Sequence, residues 1–299
     1  MKDIFLINNN ITLLVALLTI DHLGLSENQV IIVASRNTSI PVYKNLKVIN
    51  LPQLARWQAI KSHYIDSGPF RLFMPHDSVM RPVGKNLMSS RYCQGISYLE
   101  EGALAYKDYP MRVSSTARNL SKVPFVGKYF KYWLSVPWFS KENANVYHFF
   151  DGAFPWAKRE NRIAVRNIDA LIPHYRRCLS AGAIVLLVSK IEDIHISLST
   201  IKLVDLPEEA GPIFLKPHPD LLRCEEELRY VCSDSDLKDM GVSILDASCI
   251  LELEMMVNKI FVLGHKETSL RRYVKALGSV FIPFSEDQLK LFSEEVSRS

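Results

Sequence analysis

The feature that most constrains this chain is an alternation of short apolar runs with amphipathic stretches, carried from the first residues almost to the last. A strand covered on both faces in a parallel sheet is apolar along its whole length, whereas the helices that cover it need only one apolar face. On that pattern strands are expected at Asp3 to Ile7, Val30 to Ala34, Lys47 to Asn50, Arg71 to Met74, Gly95 to Leu99 and Val146 to Phe150, with a helix at Ile11 to Leu23. After a helical stretch around Asn167 to Leu179 the alternation starts again. Its strands are expected at Ala183 to Ser189, Ile213 to Lys216, Val242 to Leu245, Lys259 to Leu263 and Val280 to Ile282. Two α/β halves are the simplest account, and 299 residues suffice to give each its own core. The polar stretch Pro155 to Arg162 puts the expected boundary near residue 160, giving halves 1–160 and 161–299.

Composition narrows the partners. Lys and Arg number 36 against 32 Asp and Glu, a net charge of +4 spread over the chain. A nucleic-acid binder concentrates its basic residues on one face, so no nucleic acid is expected, while anionic substrates fit. The five cysteines are odd in number and lack C-x-x-C spacing, which points to buried thiols in a reducing compartment and not to a disulfide framework or zinc cluster. The apolar run Thr12 to Ile20 has the length of a signal-peptide core. Asp3 and Asn8 to Asn10 interrupt its approach, however, and no small-residue cleavage site precedes Asp21 and His22. No run is long enough to cross a membrane, so a cytoplasmic location is expected. Ser121 to Lys141 mixes aromatics such as Tyr129, Phe130 and Trp133 with Lys122, Lys128, Lys131 and Lys141. That mixture reads either as a half-buried helix with solvated lysines or as a segment that binds the acceptor or makes peripheral contact with the inner membrane surface.

Several common sites are absent: no G-x-G-x-x-G follows a strand, and the P-loop, H-E-x-x-H and G-x-S-x-G patterns are missing. Asp234-Ser235-Asp236 could hold a divalent ion, but it follows a helical stretch and its residues serve well in a turn or cap, so no metal is expected.

Three positive signals lie where open α/β sheets bind ligands, outside the carboxyl ends of strands. Tyr98-Leu99-Glu100-Glu101-Gly102 ends one apolar run. Side chains alternate across a strand, so only one of the two glutamates can face a ligand, where it can accept a hydroxyl proton; Gly102 permits a sharp turn and close approach. Lys216-Pro217-His218-Pro219 ends another run, and its prolines stiffen the backbone that presents the imidazole, with Lys216 adding charge. Gly264 to Leu270 joins a strand to a helix, and its Thr268 and Ser269 can cap that helix or help to hold an anion. Before it, on an expected helix Ser248 to Asn258, Glu252 and Glu254 read either as a nucleotide ribose contact or as a solvated face.

In this order the signals resemble the bacterial sialyltransferases, whose shared marks are an acidic-acidic-glycine motif, a His-Pro motif and a Ser-Ser/Thr motif. Here these are Glu100-Glu101-Gly102, His218-Pro219 and Thr268-Ser269, and Phe73-Met74-Pro75-His76 looks like the family's strand leading to its acceptor-side loop. The resemblance runs from the first strand to about residue 284. It implies a GT-B fold: two Rossmann-like α/β domains with parallel sheets facing a central cleft, an acceptor-side domain first and a CMP-sugar domain second. It also implies CMP-sialic acid as donor, inversion at the anomeric carbon, and no cofactor or metal. By position Glu101 is then the general base, and His218 the acid or hydrogen-bond donor at the departing CMP phosphate. Thr268 and Ser269 hold the phosphate, and Glu254 contacts the ribose. Two departures are Thr-Ser in place of Ser-Ser/Thr, and Glu252 where a proline is expected two residues before the ribose acid.

A nucleoside monophosphate leaving group suits this set, because an imidazole and hydroxyls can offset its charge without a cation. Lys216, Pro219, Gly102, Asn9 and His76 complete the expected substrate contacts, Asn8 to Asn10 lying after the first strand. The acceptor is expected to be a terminal sugar, galactose above all, of a surface glycan such as lipooligosaccharide or capsule. The alternatives are transfer of another CMP-activated acid sugar such as Kdo, or a non-catalytic glycan- or nucleotide-binding protein at the membrane surface.

Overall fold

The computed structural model describes residues 1–34, 45–50, 68–77, 79, 83–106, 111–113, 135–137, 139–141, 143–188, 192–203, 210–217, 241–246, 249–265, 268 and 270–284. These residues divide into two compact units that part between His174 and Tyr175.

The first unit runs through β1 (Lys2–Ile7), α1 (Asn10–His22), β2 (Val30–Ala34), β3 (Lys47–Asn50), β4 (Phe70–Met74), α2 (Val83–Met88) and β5 (Cys93–Leu99). It continues with β6 (Met111–Val113), β7 (Ser135–Pro137), β8 (Val146–His148) and β9 (Arg162–Ala164). Seven strands form one sheet in the order β3-β2-β1-β4-β5-β8-β9, and each neighbouring pair is parallel. The apolar run Thr12 to Ile20 belongs to α1, whose residues Ile11 to Ile20 are all buried. A helix that is apolar on every side has to lie inside the protein, which is why this run imitates a signal-peptide core.

The second unit comprises β10 (Ile184–Val188), α3 (Glu192–Leu203), β11 (Ile213–Pro217), β12 (Ser243–Ile244), α4 (Leu251–Val257), β13 (Phe261–Gly264), α5 (Leu270–Ala276) and β14 (Val280–Pro283). Its five strands, again all parallel, lie in the order β12-β11-β10-β13-β14. Counted from the start of each unit, the second sheet and the first five strands of the first read 3-2-1-4-5, the doubly wound order of a Rossmann-like half, and β8 and β9 extend the first sheet beyond them. The two Rossmann-like α/β halves expected of the chain are therefore present. In each, the strand order reverses between the first strand and the fourth, at β1/β4 and at β10/β13. A crevice opens at such a reversal, because the flanking connections leave toward opposite faces of the sheet.

Three expectations are corrected. The break does not fall near residue 160, because β9 is the edge strand of the first sheet and pairs with β8 from Val146↔Arg162 to His148↔Ala164. The stretch Asn167 to Leu179 is not one helix but two 3-10 turns, Ile168–Ala170 and Ile172–His174. Pro173 lacks the amide that a continuing helix needs. The expected helix Ser248 to Asn258 is shorter, Leu251–Val257.

Of the aromatic and basic stretch Ser121 to Lys141, Ser135–Pro137 is a strand antiparallel to Met111–Val113. Phe139 is buried, stacked on Trp156 with ring centroids 5.0 Å apart and edge-on to Tyr98 at 4.9 Å. The remainder, 121–134 and 138, lies outside the described residues.

Candidate active site

The carboxyl ends of β1, β4 and β5 deliver Asn8 and Asn9, His76, and Glu100 to Gly102, all beside the first reversal of strand order. Asn9 is extended (φ −160°) and caps α1, its Oδ1 accepting from the Thr12 amide at 2.9 Å. Such a cap satisfies one of the amides that a helix start leaves bare. The Thr12 hydroxyl lies 3.0 Å from Oδ1 of both Asn8 and Asn9 and can donate to only one at a time. Asn8 Nδ2 then donates to Glu101 Oε1 at 2.7 Å, and Asn9 Nδ2 reaches the Glu101 carbonyl at 3.5 Å. A chain of polar contacts thus leads from the start of α1 to the Glu101 carboxylate.

The other oxygen, Glu101 Oε2, is buried and lies 3.1 Å from His76 Nε2, but no aligned hydrogen bond reaches it. Buried carboxylate oxygens are normally satisfied, so this one retains the capacity to accept a proton or a hydrogen bond. Gly102 follows at φ +92°, a conformation open to glycine and costly for other residues, and the turn Ala103–Tyr106 starts there.

Glu100 has a different task. It is fully buried; Oε1 accepts from the Tyr106 hydroxyl at 2.5 Å, while Oε2 accepts from the amides of Phe149 and Phe150 at 2.8 and 3.1 Å. His148, at the end of β8, bonds the Phe150 carbonyl through Nδ1 at 3.0 Å. Burial, reinforced by Arg162 and Arg166, pushes the His148 pKa down. The two adjacent acids therefore divide the work, as strand alternation requires: Glu100 ties the loop after β5 to the loop after β8, and Glu101 meets the asparagines and His76.

In the second unit Lys216 stands near the end of β11, and its Nζ donates to the Cys249 carbonyl at 3.3 Å. Glu254 is fully buried, its oxygens accepting from the amides of Cys178 at 2.7 Å and Leu179 at 3.3 Å. It joins α4 to the segment that leads into β10. Glu252 is also buried, but its Oε2 has no hydrogen-bond partner. Burial pushes its pKa up, and Lys216 opposes the shift. The Sγ atoms of Cys178 and Cys249 and a Glu254 oxygen lie within 4.8 Å of one another. Burial raises both thiols, which keeps them protonated beside the Tyr175 ring.

Thr268 is half-buried, its amide bonded to the His265 carbonyl at 3.0 Å. His218, Pro219 and Ser269, like Asp234 and Asp236, lie outside the described residues. Among the expected site residues, Asn9, His76, Glu101 and Gly102 are thus gathered at one sheet edge. Two groups that sequence reasoning did not single out share the equivalent edge of the second sheet: His265, directly after β13, and Asp193, in the first turn of α3. The positional signal was present, since each follows one of the two strands flanking the second reversal.

The chain is similar over 99% of its length to Anabaena HepE in complex with UDP, covering 90% of that protein at 11% identity and a TM-score of 0.41. It is similar over 100% of its length to UDP-N-acetylglucosamine 2-epimerase from Rickettsia bellii, covering 88% of that chain at 11% identity and a TM-score of 0.47. No family model matches the sequence, and no curated protein matches it. The fold assignment stands on the strand order of the two sheets. No helix among the described residues is long and apolar enough to cross a membrane.

Proposed function

We propose that the chain is an inverting sialyltransferase that moves sialic acid from CMP-sialic acid to a terminal sugar of a surface glycan. The observation that carries this reading is the Glu101 carboxylate: one oxygen is fixed by Asn8, while the other is buried without an aligned hydrogen bond, at the carboxyl edge of a doubly wound sheet. A carboxylate held in that way can take the proton of an acceptor hydroxyl as the oxygen attacks the anomeric carbon, and the C–O bond to CMP breaks on the opposite side. The negative charge that leaves with CMP needs donors, which Lys216, His218, Thr268 and Ser269 are assigned to supply. His76 and Gly102 are assigned to the acceptor side, and Asn9 to holding the loop of the base.

The test is incubation of the full chain with CMP-sialic acid, CMP-Kdo and a UDP-sugar over a panel of galactose-terminated acceptors, with the linkage of each product read by NMR. Transfer from CMP-sialic acid alone is expected. Transfer only from CMP-Kdo would move the donor assignment to that sugar, and transfer only from the UDP-sugar would overturn the CMP reading.

A further inference from the structure

At the second reversal of strand order, between β10 and β13, the two strands deliver a histidine and a carboxylate to the same edge of the sheet. His265 follows Gly264, the last residue of β13, and Asp193 is the second residue of α3, the helix that leaves β10. His265 Nε2 lies 2.9 Å from Asp193 Oδ1. An ionised carboxylate only accepts, so Nε2 carries the proton and donates. The Asp193 side chain is 5% exposed and the His265 side chain 38%. The imidazole is also wedged edge-on against Phe284, with ring centroids 5.0 Å apart. Its orientation is therefore set from two sides, by a buried anion and a buried aromatic ring. With Nε2 engaged by Asp193, Nδ1 is the ring nitrogen left to meet a ligand. At Gly264 an added Cβ would come within 3.2 Å of the Leu187 side chain, so the backbone passes β10 closely just before it presents the ring.

We propose that His265 is a phosphate-contacting residue of the nucleotide site in this unit, with Asp193 as its positioning residue. The ligand class is a nucleoside monophosphate or the phosphodiester of a nucleotide sugar. The proposal rests on the reading above that this unit takes the nucleotide of a CMP-sugar. An imidazole bound to Asp193 through Nε2–H can take up a proton at Nδ1 and then donate from Nδ1 to a phosphate oxygen, adding positive charge where the substrate is anionic. Asp193 does not touch the phosphate. It fixes which nitrogen faces the ligand, as a carboxylate behind a working histidine commonly does. No bond is made or broken in this contact.

The test uses the full chain with histidine side chains labelled with 15N, together with calorimetric titration of CMP, cytidine, UMP and uridine. Addition of CMP is expected to move the His265 Nδ1 resonance, and cytidine, which lacks the phosphate, to leave it in place. His265→Gln is expected to weaken CMP at least about tenfold while leaving cytidine affinity unchanged, the loss of one charge-assisted hydrogen bond. Asp193→Ala is expected to alter the tautomer signature of His265 in the ligand-free protein, a change that loss of packing alone does not produce, and to weaken CMP as well. If CMP binds without moving Nδ1 and His265→Gln binds it as the wild type does, the phosphate contact is overturned and the CMP reading stands. If UMP moves Nδ1 and CMP does not, the contact stands and the donor reading falls. Binding of no nucleotide overturns both.

Discussion

Glu100 and Glu101 are chemically identical neighbours with opposite surroundings, and that difference carries the functional reading. Both oxygens of Glu100 are satisfied by the Tyr106 hydroxyl and two backbone amides, so the residue clamps two loops. Glu100→Gln replaces one accepting oxygen with a donor that faces a donor. It is expected to cost about 1–3 kcal/mol, read as a lower Tm, and to reduce activity through the displaced loop. From the sequence, alternation showed that the two acids must point apart, but not which of them had partners waiting, because Tyr106, Phe149 and Phe150 are brought close only by folding.

Glu252 gives a test that is independent of catalysis. Burial raises its folded pKa above the ordinary carboxylate value, so between those two values the folded state binds more protons than the unfolded one. Its contribution is therefore a penalty, absent below the ordinary carboxylate range and growing as the pH rises toward the folded pKa. Glu252→Gln removes that penalty. Thermal melts across pH are expected to show the variant more stable than the wild type at neutral pH, with the gain vanishing in acid; an equal gain at every pH would contradict the assignment.

Among elements, the parallel strands were the most legible. β2 and β3 fall on the expected residues, and β1, β4, β5 and β10 lie within two residues of expectation at each end; for β1, β2, β4 and β10 the reason is burial on both faces, which writes itself as a continuous apolar run. The elements that were missed lack that mark. β9 is an edge strand whose three residues are half-buried or exposed, and the β6–β7 pair has only three residues in each strand. Helix α1 was legible and Asn9 was expected as a substrate contact, but its part in capping α1 was not foreseen. Asn9→Ala removes the cap and is expected to cost about 1 kcal/mol in thermal or denaturant unfolding. Asn9→Ser restores a capping oxygen and most of the stability. A loss of stability as large in the serine variant as in the alanine variant would contradict the capping role.

For the whole molecule, the recurrence of one strand order in two units explains why the alternation restarts midway along the sequence without any visible repeat. The same topology needs only the same apolar rhythm, and the side chains that fill each core are free to differ. The boundary was less legible because the chain after Pro155 is polar on account of an edge strand and turns, and not because a linker begins there. Of the candidate site residues, Asn9, His76, Glu101 and Gly102 lie together at strand ends, where the sequence pattern pointed; the bonds of Glu254 to the Cys178 and Leu179 amides and the contact of His265 with Asp193 come from folding and leave no mark in the sequence.

The most direct test of the account compares kcat for sialic acid transfer by the wild type and by Glu101→Gln, with CMP affinity measured on both. Loss of a general base is expected to lower kcat by about 10²–10⁴-fold while CMP binds both proteins equally well. Transfer by the glutamine variant at the wild-type rate would contradict the account at its centre.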